Sequence, residues 1–208
     1  MKQNPVVVIS GNLGAGKTTL AKRLGRHFGW WVGFESVKDN PYLNDFYENM
    51  ERWSFNLQVY FLGNRMHLHK KAALQPHGAV LDRSIYEDRY IFAEALHDKG
   101  LISTRDFASY VQLFDLVVQT LPEPDLTIYV SAPVPIIGER LKRRNQAFDR
   151  NLAPEYLNLI DDMYRSWKTT LAQSRLLEVD STVADFESDS TESPELADIL
   201  NRVAKMLE

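Results

Sequence analysis

The sequence contains no cysteine, which excludes disulfide bonds and metal sites built from thiolates. It also lacks an apolar run that approaches the length of a membrane-spanning helix. A strand is predicted to begin within a few residues of the first methionine, which leaves no room for a signal peptide. We therefore expect a cytoplasmic protein that does not interact with a membrane.

An excess of positive charge is absent as well. The chain carries 24 lysines and arginines against 28 aspartates and glutamates, a formal net charge of −4, which disfavours a surface that coats nucleic acid. Small phosphorylated ligands remain compatible with this charge. The 208 residues are 44% hydrophobic and contain no internal repeat or interdomain linker, so we expect a single domain over residues 1–208.

A glycine-rich segment follows the first apolar run of the chain. The run Val6-Val7-Val8-Ile9 precedes Gly11-Asn12-Leu13-Gly14-Ala15-Gly16-Lys17-Thr18, which fits the P-loop pattern of Gly, four residues and Gly-Lys-Thr. In such a loop the glycines let successive N–H groups face phosphate oxygens, the lysine adds a positive charge and the threonine offers a hydroxyl to Mg²⁺. A plain glycine turn is the alternative. The apolar strand before the motif and the helical sequence after it favour nucleotide binding.

The alternation of apolar and amphipathic segments predicts an α/β fold. Strands are expected at 5–10, 30–35, 78–82, 126–130 and 176–180. Helices are expected at 16–28, within 41–50, and at 52–73, 85–97, 104–118, 133–144, 154–172 and 194–207. Right-handed crossovers between successive strands would give one parallel five-stranded sheet flanked by helices.

Acidic residues end two of these strands. Ligands of open α/β sheets bind beyond the carboxyl ends of the strands, so both acids are placed for chemistry. Glu35, which follows the aromatic second strand, is either a partly desolvated acid or a solvated loop carboxylate, and the residues alone favour neither. Asp82 suits a role at Mg²⁺, and Arg83 beside it suits a clamp on phosphate oxygens. A salt-bridged strand end is the alternative for this pair.

Two further polar patterns lie on predicted helices. Arg140 and Arg144, four apart in a basic helix, face the same way and form either a solvated surface or a phosphate-contacting pair. Gln58 and Arg65, seven apart, share one face of the long helix 52–73. Periodicity alone favours a solvated face for these two residues.

Four stretches of the chain together resemble the deoxyribonucleoside kinase family of P-loop enzymes. They are the P-loop, Glu51-Arg52-Trp53-Ser54-Phe55-Asn56-Leu57-Gln58, Asp82-Arg83-Ser84-Ile85-Tyr86-Glu87-Asp88-Arg89-Tyr90, and the basic segment that leads to Glu155-Tyr156-Leu157. The resemblance implies a three-layer P-loop nucleoside kinase fold with a short arginine-containing lid at about residues 140–151, and a homodimer. It also implies transfer of the γ-phosphate of ATP, with Mg²⁺, to the 5′-hydroxyl of a deoxynucleoside.

The resemblance assigns residues to the phosphate donor and to the reaction. ATP binding falls on the P-loop with Thr19, on Arg140 and Arg144, and on Asp185 and Phe186 in the loop that would hold the donor adenine. Thr18 and Asp82 would contact Mg²⁺. Glu35 stands where the family has its catalytic base, and Arg83 where it has the arginine that contacts the 5′ oxygen and the transferring phosphoryl group.

The resemblance also assigns residues to the nucleoside. Tyr47 and Asp149 would contact the sugar 3′-hydroxyl, Gln58 the base edge, Asp88 and its partner Arg65 the base, and Trp53 and Phe92 would wall the pocket. A buried ion pair without a polar partner on the base is costly, which favours deoxyadenosine, deoxyguanosine or deoxycytidine over thymidine.

Two positions depart from the pattern of the bacterial-type relatives. Those relatives have Arg-Gly-Arg followed by Glu in the lid, whereas this chain has Arg144-Asn145-Gln146 and then Phe148-Asp149. Gln146 therefore replaces a lid arginine, and Asp149 is one methylene shorter than the glutamate. These changes concern the strength of lid closure and the discrimination between sugars rather than the class of reaction.

Three other functions compete with this interpretation. A nucleoside monophosphate kinase would need an arginine-rich second phosphate site, whereas Tyr47 and Asp149 suit an uncharged hydroxyl. A structural, non-catalytic family member is disfavoured because Lys17, Glu35 and Arg83 are all present. A small GTPase would need a guanine-reading motif that the chain lacks.

Overall fold

The computed structural model describes residues 3–34, 40–144, 154–183, 186 and 193–208. Its five strands are β1 (Val6–Ser10), β2 (Trp31–Gly33), β3 (Ala79–Asp82), β4 (Leu126–Ser131) and β5 (Leu176–Asp180). They form one all-parallel sheet in the order β2-β3-β1-β4-β5. The prediction of a five-stranded parallel sheet is confirmed.

The helices that connect these strands lie close to the predicted positions. They are α1 (Lys17–Phe28), α2 (Leu43–Glu48), α3 (Met50–Ala73), α4 (Ile85–Glu87), α5 (Glu94–Asp98), α6 (Thr104–Val118), α7 (Val134–Arg144), α8 (Pro154–Lys168) and α9 (Pro194–Met206). A π-helical turn, Asp88–Ala93, joins α4 to α5. Among the described helices, none combines the length and the apolarity needed to cross a membrane.

The sheet is the middle of three layers because both of its faces are apolar, as parallel sheets require. Successive side chains of a strand point to opposite faces. Val7 and Ile9 accordingly join a core cluster with residues of α1 and α9. Val6 and Val8 pack on the other face against Ala72 of α3.

The strand register brings several carboxyl ends to one edge of the sheet. Ile9 of β1 is opposite Asp82 of β3, and Gly33 of β2 is opposite Leu81 of β3. The segments that follow β1, β2 and β3 therefore leave the sheet side by side. This edge is where ligands of open α/β sheets bind.

Several predicted boundaries were wrong. Trp30 does not belong to β2: it is buried in the core and stacks on Phe28, with ring centroids 4.4 Å apart. The described part of β2 ends at Gly33, and Phe34 beyond it is exposed. The helix predicted at 85–97 is interrupted by the π-helical turn, and α8 ends at Lys168, before a 3₁₀ turn at Gln173–Arg175.

Buried His69 of α3 makes the stability of the fold depend on pH. Its Nε2–H donates to the carbonyl of Pro122 (2.9 Å), and its Nδ1 has no partner among the described residues. Burial lowers the pKa of His69 below its ordinary 6.5, so the unfolded chain takes up a proton that the folded chain does not. We expect the free energy of unfolding to fall as the pH drops below 6.5.

Urea unfolding at neutral and at mildly acidic pH tests this expectation. His69→Gln keeps an N–H donor but cannot titrate, so the loss of stability in acid should be smaller in this variant than in the wild type. His67→Gln replaces an exposed histidine of the same helix and should behave like the wild type. An identical acid loss in wild type and His69→Gln would contradict the assignment.

Candidate functional site

The P-loop lies between β1 and α1 in a conformation that needs glycine. Gly11 has a φ of +143°, and a Cβ there would be 2.1 Å from the carbonyl oxygen of Val130 in β4. Gly16, immediately before α1, has a φ of +102°. The loop is therefore packed against the sheet and leads into the N-terminus of α1, where N–H groups and the helix dipole favour an anion.

Lys17 is held inside this loop. Its ammonium donates to the carbonyl oxygens of Gly11 and Asn12, both at 2.8 Å, and the residue is only 7% exposed. Burial and, to a smaller extent, the nearby guanidinium of Arg83 lower the pKa of Lys17 to about 7. A phosphate at the loop would stabilise the charged form of this lysine.

Thr18 and Asp82 meet although Thr18 lies in α1 and Asp82 ends β3. The hydroxyl of Thr18 donates to Oδ2 of Asp82 at 2.5 Å. A hydroxyl and a carboxylate are hard oxygen ligands of the type that Mg²⁺ takes together with nucleotide phosphates. These two residues therefore fit a nucleotide-bound Mg²⁺.

Arg83 occupies a backbone conformation that is rare for residues other than glycine. Its φ is +82°, which costs roughly 1–3 kcal/mol and is found mostly at functional sites. The Arg83 amide donates to the carbonyl of Ile9 (3.0 Å), and the guanidinium carbon lies 4.5 Å from the ring centroid of Phe92. The turn after β3 is thus fixed beside the end of β1.

Glu87 is a residue of this region that the sequence interpretation missed. It is fully buried, and its carboxylate accepts hydrogen bonds from the Ser84 amide (2.7 Å), the Ser84 hydroxyl (3.1 Å), the Ser10 hydroxyl (2.9 Å) and the Tyr164 hydroxyl (2.6 Å). The spacing Ser84-x-x-Glu87 at the start of α4 is a capping-box signature. That signature could have singled out Glu87 in the sequence.

Arg65 and Asp88 form a buried polar corner, and buried Gln58 lies on the same face of α3, seven residues before Arg65. Nε of Arg65 is 3.2 Å from Oδ2 of Asp88, and Nη1 of Arg65 donates to the carbonyl of Asp82, also at 3.2 Å. The expected pairing of Arg65 with Asp88 is confirmed. Gln58 and Arg65 are 3% and 4% exposed, so the interpretation of their shared face as solvated was wrong.

Gln58 has an unsatisfied polar atom on this face of α3. Its Oε1 is buried and accepts no hydrogen bond from any described residue. An unpaired buried carbonyl costs about 1–3 kcal/mol, which a ligand with a suitably placed N–H group would remove. The corner can therefore bind a planar polar ring by hydrogen bonds.

Two of the predicted nucleoside-binding residues, Trp53 and Tyr47, are aromatic. Trp53 of α3 and Tyr47 of α2 are half-buried; the Arg52 guanidinium covers the Trp53 ring at 4.3 Å, and Phe46 packs on Tyr47 at 5.2 Å. Burial raises the pKa of Tyr156 to about 12, and Tyr47 contributes to the shift. Tyr156, to which the sequence interpretation gave no role, therefore adds a protonated phenol next to Tyr47.

Arg140 connects the P-loop to the segment after β5. Its Nη1 donates to the Ser181 hydroxyl (2.7 Å) and to the Ala15 carbonyl (3.4 Å), and its Nη2 donates to the Ser181 carbonyl (2.8 Å). Arg144, at the end of α7, is exposed and lies close enough to Lys17 to contribute to lowering its pKa. Both arginines are thus near the loop to which their predicted role refers.

Phe186, one of the two residues predicted to hold the donor adenine, is buried. Its ring is 5% exposed within the core cluster that contains α1 and α9. Its carbonyl accepts a hydrogen bond from Nε of Arg23 (3.0 Å). The remaining predicted site residues Glu35, Asp149 and Asp185, together with the lid position Gln146, lie outside the described residues, and their roles stay predictions.

The site as a whole contains two neighbouring binding regions. The P-loop, Lys17 and the Thr18–Asp82 pair suit a polyphosphate with Mg²⁺. The polar corner and the aromatic side chains suit a heterocyclic ring. Arg83 follows Asp82 directly at the end of β3, and the Arg65 guanidinium donates to the Asp82 carbonyl, so Arg83 lies between the two regions. This geometry is suited to transfer of a phosphoryl group from a nucleotide to a second small molecule.

Comparison with known proteins gives an independent description of the chain. The family model described as deoxynucleoside kinase matches residues 7–208. The deoxyadenosine/deoxycytidine kinase of Bacillus subtilis is 38% identical over 167 residues, which are 79% of this chain and 77% of that protein. The deoxyguanosine kinase of the same organism is 29% identical over 190 residues, 91% of this chain and 89% of that protein.

A solved structure shares the fold. The deoxyadenosine kinase of M. mycoides, with the products dCMP and dCDP bound, superimposes with a TM-score of 0.83 over 96% of this chain and 99% of that chain. The sequences are 23% identical. At that identity the similarity establishes the arrangement of strands and helices.

Proposed function

Because this chain belongs to the deoxynucleoside kinase family, we propose that it transfers the γ-phosphate of ATP to the 5′-hydroxyl of deoxyadenosine, deoxyguanosine or deoxycytidine. The observation that carries the choice of acceptor is the buried corner of Arg65 and Asp88, with buried Gln58 on the same face of α3. A nucleoside base offers the hydrogen-bonding edge that this corner lacks. The product is the corresponding 5′-monophosphate.

On the donor side, the P-loop amides surround the phosphates of ATP and Lys17 neutralises their charge. Arg140 and Arg144 approach from α7 and add positive charge at the same phosphates. Thr18 and Asp82 would hold Mg²⁺, which would neutralise charge that develops on the phosphate oxygens. Removal of divalent cations by a chelator should therefore stop the transfer.

On the acceptor side, Glu35 accepts the proton of the 5′-hydroxyl as its oxygen attacks the γ-phosphorus. The bond between that phosphorus and the bridging oxygen of ADP breaks, and ADP leaves with the electron pair. Arg83 donates hydrogen bonds to the 5′ oxygen and to the transferring phosphoryl group. Tyr47 and Asp149 bind the 3′-hydroxyl, while Trp53 and Phe92 enclose the ring.

The polar corner selects among the bases by hydrogen bonding. The unpaired Oε1 of Gln58 accepts from the exocyclic amino group of adenine or cytosine, and the amide nitrogen donates to the adjacent ring nitrogen. The remaining edge of the base would face Arg65, which offers hydrogen-bond donors, and Asp88, which offers acceptors. This pair can also bind the polar edge of guanine. The methyl group of thymine would face this ion pair without compensating hydrogen bonds, which disfavours thymidine.

We also propose that the active form is a homodimer. Leu113 and Leu116 of α6 are 44% and 63% exposed, and residues three apart share one face of a helix. A second copy that packs on this face would bury both leucines. Sedimentation equilibrium, at the protein concentrations used in the activity assay, would measure whether the molecular mass is that of a dimer.

A panel of acceptors tests the proposed reaction. ATP-dependent phosphorylation should be measured with the four deoxynucleosides, the matching ribonucleosides and the matching deoxynucleoside monophosphates. We expect turnover with deoxyadenosine, deoxyguanosine or deoxycytidine and much less with thymidine. Preferential turnover of monophosphates would indicate a nucleotide kinase instead, and absence of turnover with every acceptor would indicate a non-catalytic family member.

Removal of the buried Arg65–Asp88 ion pair should change the preference among bases. In the double variant Arg65→Met, Asp88→Ala, both charges are removed together, so no unpaired buried charge remains. We expect the ratio of kcat/KM for thymidine to that for deoxyadenosine to rise by about 10-fold or more. The matched control is Arg89→Met, Glu94→Ala, which removes a neighbouring ion pair (2.6 Å) outside the polar corner. Equal ratios in all three proteins would refute the role of the pair.

A further inference from the structure

Glu87 lies where three parts of the phosphate site meet. Ser10 is the last residue of β1 and directly precedes the P-loop, Ser84 directly follows Arg83, and Tyr164 belongs to α8. Each of these residues donates a hydrogen bond to the Glu87 carboxylate. One buried side chain therefore joins the start of the P-loop, the turn after β3 that contains Arg83, and α8.

The bonds to Glu87 fix the backbone on the far side of Arg83. The Arg83 amide donates to the Ile9 carbonyl at 3.0 Å, and the next amide, that of Ser84, donates to Oε2 of Glu87 at 2.7 Å. These consecutive amides flank the residue whose φ is +82°. A strained conformation persists only where the surroundings hold it in place, and Glu87 holds the amide that follows Arg83.

The four donors around Glu87 suit the acceptor oxygens of a carboxylate. An amide N–H can only donate, and Oε2 accepts three hydrogen bonds at once, from Ser84 and from Ser10. Burial, and then the Glu87 charge, raise the pKa of Tyr164 well above its ordinary value, so the Tyr164 hydroxyl stays protonated and donates. A buried carboxylate with this number of hydrogen bonds is satisfied.

The negative charge of Glu87 also compensates the cations of the site. Arg83 lowers the pKa of Lys17, whereas Asp82 and Glu87 raise it. Asp82 already accepts a hydrogen bond from Thr18. Glu87 is therefore the acid that remains to balance the charges of Lys17 and Arg83.

A second contact ties α8 to the same loop. The side-chain amide of Asn12 donates to the carbonyl of Leu157 at 3.1 Å. Helix α8 is therefore attached to the nucleotide loop at Leu157 and, through Glu87, to the end of β1 at Tyr164.

We propose that Glu87 is a positioning residue that aims Arg83 at the transferring phosphoryl group by locking the turn after β3 to β1 and α8. This inference rests on the proposed function, since it presupposes that Arg83 contacts the phosphoryl group. Glu87 itself does not touch either substrate. Its removal lowers the rate of transfer only through the position of Arg83.

A double-mutant cycle tests the proposal. Glu87→Gln keeps the shape of the side chain and removes its charge, and it should lower kcat by about 10-fold to 100-fold, by analogy with the loss of a residue that orients a metal ligand. In an Arg83→Ala background the same change should lower kcat by less than about 3-fold, because there is no guanidinium left to aim. Glu94→Gln is the matched control and should leave kcat unchanged.

The outcomes separate the inference from the function on which it rests. If the wild type transfers phosphate and Arg83→Ala is impaired, but Glu87→Gln lowers kcat equally in both backgrounds, Glu87 does not act through Arg83. A lower melting temperature with unchanged kcat would make Glu87 purely structural and would also overturn the proposal. An inactive wild type, or an unimpaired Arg83→Ala, refutes the proposed function itself.

A second variant covers the case in which Glu87→Gln does not fold. Tyr164→Phe removes one hydrogen bond and keeps the carboxylate. We expect a smaller loss of kcat that again disappears in the Arg83→Ala background. A loss of the same size in both backgrounds would overturn the proposal.

Discussion

Replacement of Lys17 by methionine should lower phosphoryl transfer by about 100-fold to 1,000-fold, the usual effect of removing one charged or hydrogen-bonding group that stabilises a transition state. The ammonium is buried in the loop, and it donates to the Gly11 and Asn12 carbonyls. Its position inside the loop suits contact with the outer phosphates of ATP. Methionine has a similar length but no charge.

The same replacement should make the nucleotide-free protein more stable. The pKa of Lys17 is lowered from 10.5 to about 7, which means that the folded state disfavours the charged form. Because methionine has no charge to desolvate, we expect the free energy of unfolding at neutral pH to rise by about 1–3 kcal/mol, after allowance for the lost hydrogen bonds. A variant that is less active but more stable identifies a residue retained for function.

The gain in the free energy of unfolding on replacing Lys17 should depend on pH. Between about 7 and 10.5 the unfolded chain carries the Lys17 proton and the folded chain does not, so the wild type gains stability as the pH rises through this range. Lys17→Met lacks this contribution, and the difference in stability between the two proteins should shrink with rising pH. Urea unfolding without nucleotide measures it.

Lys22→Met is the matched control, since Lys22 is an exposed lysine of the same helix. We expect neither the loss of transfer nor the gain in stability in this variant. A Lys17→Met protein that is as active as the wild type would contradict the role of Lys17 in the P-loop. A less stable Lys17→Met protein would contradict the conclusion that burial disfavours its charge.

The arrangement of strands could be predicted because buried parallel strands are continuously apolar and are separated by helices. Val6 to Ile9 is such a run, and each β-strand found lies within or next to its predicted range. The boundaries of β2 were harder to predict, since an aromatic residue suits a strand and a core contact equally. Trp30 stacks on Phe28 instead of pairing in the sheet.

From residue spacing alone, without the family resemblance, the site was predictable only where a local sequence pattern specifies the chemistry. Gly11 to Thr18 form such a pattern, and so does the acid at the end of β3. Gln58 and Arg65 were different, because helical spacing shows that two residues share a face but not whether that face is buried. Glu87 is hydrogen-bonded to Tyr164, which lies 77 residues later in the sequence. The residue spacing within a single segment cannot reveal such a partner.

Replacement of Glu35 by glutamine should lower kcat by about 100-fold to 10,000-fold, as expected for loss of a general base. The described part of β2 ends at Gly33, which is paired with Leu81, next to Asp82 and Arg83. β2 therefore ends at the same edge of the sheet as the P-loop. The family resemblance predicts the catalytic base at Glu35, beyond this strand end.

Binding of ATP should be nearly unchanged in Glu35→Gln, since none of the groups proposed to hold the phosphates is altered. A similar KM for ATP with a much lower kcat would place the loss in the chemical step. Glu195→Gln, an exposed glutamate at the start of α9, is the control for the substitution itself. Wild-type turnover in Glu35→Gln would refute the assignment of the base, whereas a large rise in the KM for the nucleoside alone would make Glu35 a substrate-binding residue. Only the combination of unchanged ATP binding and slow transfer fits a carboxylate that accepts the 5′-hydroxyl proton.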